Sequence, residues 1–179
     1  MTRKRNKLGI LTCSALLVIG VLLIAGCAGS QAPTENSTTK HYGVKGIAFD
    51  YPATWVIQSS SSRFSITVIT DPQAERTNVF FDKRTMPSGS TLEQIHDGLV
   101  SEGVPTEIIS DSTLTVAGLP AFETVFKSEQ GIPSREYETM LLSLEKDGWV
   151  YTITCSAPAE LFDAARPTFD MIINSFQIT

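Results

Sequence analysis

The chain has 179 residues, 42% of them hydrophobic, with three Cys, two His and a formal charge of −5. Those totals exclude a disordered chain, a collagen-like repeat and a disulfide-stapled miniprotein, and they fit about one folded domain. They also average two unlike segments. Residues 1–26 carry Arg3, Lys4, Arg5 and Lys7 with no acid and no aromatic, so the remainder holds ten basic and nineteen acidic residues, a net charge of −9.

Arg3 to Lys7 form a basic flank, and Leu8 to Gly26 is an uncharged run rich in Leu, Ile and Val. The run ends in Leu23-Ile24-Ala25-Gly26-Cys27, an order that looks like the lipobox of prokaryotic lipoproteins. Small residues before a cut site mark a signal peptide that is removed. Cys27 would then be the new N-terminus and the acyl acceptor, and residues 1–26 the lipoprotein signal peptide. The alternative is a retained transmembrane anchor, because the run nearly reaches the roughly 20 apolar residues that span a bilayer. Cleavage at Cys27 is favoured, since the thiol falls at the end of the run. Either way the basic flank stays cytoplasmic and the rest is exported.

Residues 27–40 comprise the lipidated Cys27 and a segment rich in Ser, Thr, Pro and Asn, which reads as a flexible linker. Asn36-Ser37-Thr38 is a sequon, making Asn36 a possible glycosylation site. The folded domain is expected over residues 41–179.

Ile47-Ala48-Phe49 reads as a strand stopped at Tyr51-Pro52, because proline lacks a ladder donor. Trp55-Val56-Ile57 follows. Arg63 to Thr70 alternates apolar and polar residues with the period of a half-buried strand, and Asn78 to Asp82 is another strand-like run. Ser90-Thr91-Leu92-Glu93 reads as a capping box with Ser90 as the cap, opening a helix with Leu92, Ile95, Leu99 and Val100 on one face. Gly103 is its expected stop, and Gly98 inside it costs about 1 kcal/mol relative to Ala.

Thr113 to Val116 and Ala121 to Lys127 read as strands around a Leu119-Pro120 break. Arg135 to Leu144 and Trp149 to Cys155 flank Asp147-Gly148, a strong hairpin signal. On the last strand Trp149, Tyr151, Ile153 and Cys155 share one face, opposite Thr152 and Thr154. Pro158 suits a first helical position, and a stripe from Leu161 to Phe176 reads as helix, broken or kinked at Pro167. Apolar helix stripes need a sheet to cover, and hairpins make that sheet antiparallel. The fold class is α+β, an antiparallel β-sheet flanked by helices.

Phe49-Asp50-Tyr51-Pro52-Ala53-Thr54-Trp55, Gly118-Leu119-Pro120-Ala121, the Asp147-Gly148 hairpin with Tyr151, and Phe169 to Ser175-Phe176 follow one another as in PsbP-like proteins, which the chain resembles from His41 to Thr179. The resemblance implies the α/β/α sandwich shared by PsbP and the Ran-binding Mog proteins. It also implies a non-catalytic binding or accessory module, by analogy of fold alone.

Chemistry-bearing motifs are scarce. There is no Gly-x-Ser-x-Gly elbow, no Gly-rich phosphate loop, no His-Glu-x-x-His pair and no calcium loop, so no catalytic residue, metal site or cofactor is expected. His96 reads as a helix-edge residue packing on the sheet, and His41 as a solvated residue at the linker junction. Cys155 reads as a buried small hydrophobe rather than a nucleophile. Glu136 and Glu138 project to one side of a strand, and a solvated strand end or a charged sheet edge is favoured over acid–base or cation work. Trp55 beside Tyr51 reads as core in preference to a ligand cleft.

A charge of −9 argues against nucleic acid and against the domain itself adhering to an anionic membrane. The expected protein is therefore an extracytoplasmic lipoprotein held to the cell membrane by its N-terminal lipid. Its domain would serve an envelope protein complex or a small ligand. The competing class is an envelope hydrolase or thiol-dependent enzyme using Cys155 or the Glu136/Glu138 pair.

Overall fold

A computed structural model describes residues 38–58, 63–74 and 76–179. Cys27, Asn36, the signal-peptide run and most of the linker lie outside the described residues. Among the described residues no helix is long and apolar enough to cross a membrane.

Three tight hairpins organise the sheets. β1 (Thr39–Val44) and β2 (Ile47–Pro52) are joined by Lys45-Gly46, with φ of 58° and 82°. The strands β3 (Val56–Gln58), β4 (Ser65–Thr70) and β5 (Asn78–Thr85) follow, then helix α1 (Leu92–Glu102). β6 (Glu107–Val116) turns through Ala117-Gly118 into β7 (Leu119–Gln130), with φ of 53° and 77°. β8 (Arg135–Lys146) and β9 (Trp149–Pro158) are joined by Asp147-Gly148, with φ of 53° and 76°. Consecutive positive φ angles are those of type I′ turns, whose twist matches the flanking strands. Helix α2 (Ala159–Ser175) and the short strand β10 (Gln177–Ile178) end the chain.

The seven-stranded sheet runs β3-β4-β5-β9-β8-β7-β6, with every pair antiparallel, and a small sheet runs β1-β2-β10. Alternation along the strands decides which helix covers which face. Val125, Met140, Leu142, Ile153 and Cys155 point to one face, where Phe162, Phe169 and Ile172 of α2 complete the core. Ser143 and Thr124 point to the other face, where α1 lies through His96. The result is the α/β/α sandwich expected from the sequence. An aromatic column ties the small sheet into it: Tyr42 stacks on Phe49, Phe49 on Phe81 and Phe81 on Phe176, with centroids 4.9, 4.2 and 5.8 Å apart.

Several local expectations shift. The first strand begins at Thr39, so the linker gives way to β structure before His41, which is itself part of β1. The capping box slides by one residue. Thr91 is the cap, its hydroxyl accepting from Gln94 N–H (3.2 Å) while Gln94 Oε1 accepts from Thr91 N–H (3.1 Å). Leu119-Pro120 does not break the chain, because the turn is one step earlier and Pro120 precedes the first β7–β8 pair, Ala121↔Leu144. Pro158 is the cap of α2 rather than its first residue. Pro167 neither ends nor divides α2: the proline removes one backbone donor, and buried Phe162, Phe169, Ile172 and Ile173 hold the helix to the core on both sides of it.

Candidate functional site

The face of the sheet under α1 is only partly covered. α1 reaches β7 and β8, and beside it β9 and the far end of β8 form the floor of an open groove of about 540 Å³. That size is ordinary for a small-ligand site, roughly 300–1,000 Å³. The floor is a ladder of hydroxyls, Thr152, Thr154 and Ser156 from β9 beside Tyr137 and Thr139 from β8. Asn78, Phe80, Asp82 and Arg84 form one wall from alternate positions of β5. Leu99 and Glu102 of α1 and its C-cap Gly103, with Phe126 of β7, form the other.

The groove's polar groups are unevenly satisfied. Thr139 and Ser156 hydroxyls bond each other at 3.1 Å, and Arg76 Nη1 donates to Tyr137 Oη at 3.3 Å. Asn78 Oδ1 and Arg84 Nε are shielded from solvent with no partner within the fold. Burial pushes the Asp82 carboxyl above its ordinary value, and neighbouring Arg84 offsets only part of that rise. Unsatisfied polar atoms are costly and uncommon in folded proteins, and two of the four among the described residues, Asn78 Oδ1 and Arg84 Nε, belong to this wall. The arrangement can bind through several hydrogen bonds and one apolar edge. Nothing in it constitutes a nucleophile with its base.

His96 packs on the sheet as the sequence suggests, but as the most buried residue of α1, only 1% exposed. Its Nδ1 lies 2.9 Å from Ser143 Oγ and its Nε2 2.8 Å from Thr124 Oγ1. Thr124 donates its single proton to Asp111 Oδ1 (3.0 Å), so Nε2–H must donate to Thr124 and Nδ1 must accept from Ser143. Burial lowers the imidazole below its ordinary value, against the pull of Asp111 and Asp97. Both nitrogens are thus committed to holding the helix.

The remaining candidates are structural. Cys155 is wholly buried in the core, and burial pushes its thiol well up, the opposite of nucleophile activation. Glu136 is the exposed second residue of β8, before its pairing with β9 begins, a solvated strand end as expected, but neither it nor Glu138 is on a sheet edge, since β8 has β7 and β9 on its two sides. Lys127 Nζ lies 3.3 Å from Glu136, and Glu138 is pushed up by burial and by Asp163. His41 is exposed and pairs with Asp50 at 2.7 Å. Trp55 is 6% exposed and meets Phe169 edge-on, a core contact. Among the described residues no three His, Cys, Asp or Glu gather as a metal site.

The groove itself was missed from sequence. Its signal was the polar alternation of β9, where Thr152 and Thr154 stand opposite the apolar face.

These features define an α/β/α sandwich with a polar groove on one sheet face. The family model for PsbP-like protein matches residues 24–178, and the chain belongs to that family. Among solved structures it is similar to cyanobacterial PsbP (CyanoP) of Synechocystis sp. PCC 6803, with 19% identity, a TM-score of 0.59, and coverage of 86% of this chain and 100% of that one. LpqN of Mycobacterium tuberculosis, described as involved in cell envelope biogenesis, is 16% identical with a TM-score of 0.56, covering 79% and 90%. The Ran-binding protein Mog1p of Saccharomyces cerevisiae is 10% identical with a TM-score of 0.56, covering 78% and 95%. At these identities the likeness is one of fold. A search of curated proteins gives no match.

Proposed function

We propose that this protein is a non-catalytic binding module of the cell envelope, tethered to the extracytoplasmic face of the membrane by lipid on Cys27. The groove beneath α1 is where it takes a small ligand or a segment of an envelope protein. The observation that carries the reading is the groove: an open, hydroxyl-floored cavity whose β5 wall holds polar atoms without partners in the fold. Membership of the PsbP-like family supports it, as does the cell-envelope role given to LpqN. The lipobox order and the Ser/Thr/Pro-rich linker support the tether, and Asn36 is a glycosylation site only in a host that modifies sequons.

The surroundings of Cys155, His96 and Glu136 support the non-catalytic reading. Cys155 is sealed, His96 is committed at both nitrogens and Glu136 is paired with Lys127. Full-length protein extracted from its own membranes should retain bound material that Thr154→Arg, which fills the groove floor, loses without a change in melting temperature. Equal retention by both proteins rejects the groove. An intact Met1 in the mass spectrum of the mature protein rejects cleavage at Cys27.

A further inference from the structure

The charge of the folded domain is segregated. From Thr39 to Thr179 there are ten Lys and Arg residues, and five of them, Lys45, Arg63, Lys83, Arg84 and Lys146, gather at one end of the sandwich. The contacts that gather them close into a ring. Lys45 Nζ donates to Ile66 O on β4 (2.9 Å), and Lys83 N–H donates to Phe64 O just before β4 (2.8 Å). Lys83 Nζ lies 4.4 Å above the Trp149 ring, whose residue pairs with Lys146 across the β8–β9 hairpin. Lys146 Nζ donates to Ile178 O (3.3 Å), and Thr179 N–H donates to Gly46 O (3.0 Å) beside Lys45. Arg63 and Arg84 lie 4.5 and 5.5 Å from the centre of the Phe64 ring.

Apolar groups stand among these cations. Val44 is 56% exposed and Phe64 and Trp149 are each 40% exposed. The acids nearby are Glu145, which accepts from Gly148 N–H, and Asp147 at the turn, while Asp82 faces the groove. The excess of cations at this end contrasts with an otherwise strongly acidic surface. Arg84 reaches from this end into the groove wall, whereas Lys45, Arg63, Lys83, Lys146 and Trp149 do not line the groove, so these four cations face outward rather than into its cavity. What this end offers is several charges side by side with an aromatic ring and a hairpin tip between them.

We infer that this end of the sandwich is a contact surface for anionic lipid headgroups. Its cations meet the phosphates while Trp149, Phe64 and Val44 enter the interfacial layer. Clusters of several Lys and Arg residues are attracted to anionic leaflets, and tryptophan favours the headgroup depth. The bulk charge of −9 argues against such adhesion, but a bilayer meets the distribution of charge rather than its sum.

The test uses the full chain, so that any anchor is present, and reads Trp149 rather than binding as such. Trp55 is buried, so acyl-chain-brominated lipid should quench Trp149 alone, with Trp149→Phe as the control. In vesicles containing phosphatidylglycerol, Trp149 should be quenched and its emission blue-shifted. Both effects should be lost in pure phosphatidylcholine, at high salt, and in Lys45→Gln/Arg63→Gln, which lies outside the groove and should melt like the parent. Equal quenching in both vesicle types overturns headgroup recognition. No quenching in either overturns the surface altogether and leaves an acidic protein as the complement of these charges. Neither result bears on the groove, whose variant is read separately.

Discussion

His96 shows how a single side chain can fix a helix and confer a pH response. Folding keeps its imidazole neutral by burying it between Ser143 and Thr124, so the unfolded chain accepts the proton first. Stability from this residue is complete above the ordinary histidine value. It falls as pH drops below that value, until the folded imidazole itself protonates. Asp82 and Glu138 act in the opposite sense at lower pH, because burial raises their carboxyls and the folded state takes up those protons first. The difference between denaturation curves of the parent and His96→Gln therefore isolates the histidine. It should be flat above the ordinary value and slope downward below it, and a pH-independent difference contradicts the buried neutral state. Cys155 gives a second residue-scale expectation. Its thiol should resist alkylation in native protein and react on unfolding, whereas rapid native labelling would revive the thiol-enzyme reading.

At the scale of elements, α1 is the piece that shapes the groove, and the glycine inside it and the one at its C-cap should behave oppositely. A Cβ at Gly98 meets nothing within 4 Å, so Gly98→Ala should stabilise the protein by about 1 kcal/mol. A Cβ at Gly103 falls 2.7 Å from Phe126 Cζ, on the ring that walls the groove. Gly103→Ala should destabilise by about 1–3 kcal/mol as that ring is displaced. Chemical denaturation of both variants checks the pair. Gly103 was legible as a helix stop, but its reason was not: its φ of −70° suits any residue, and only tertiary contact demands the missing side chain. The same limit explains the other shifts. Asp147-Gly148 declared its turn, whereas Lys45-Gly46 and Ala117-Gly118 adopt the same turn with less telling first residues. β1 and β10 are polar or very short and exist because β2 pairs with both. Thr91 replaces Ser90 as cap because either hydroxyl could serve, and docking through His96 sets the helix register.

For the whole molecule, the core face was readable and the groove face was not. Phe162, Phe169, Ile153 and Cys155 announce burial by their composition, so the layering of helices and antiparallel sheet followed from apolar periodicity. Thr152, Thr154 and Ser156 alternate with them and look like any solvent face. They become a groove floor only once β9 stands between β5 and β8 and α1 covers the neighbouring strands, an order no local pattern encodes. Charge follows the same lesson, since the total says acidic while the fold collects half of its cations at one end. A domain that recognises its ligand or partner in the groove meets it at the groove floor. A photoreactive residue at Thr154 on that floor, compared with one at exposed Ser112 on β6, checks this in intact cells. Crosslinks to a defined ligand or envelope protein from position 154, and not from 112, are the predicted result. Crosslinks from 112 alone, or equally from both positions, would contradict it.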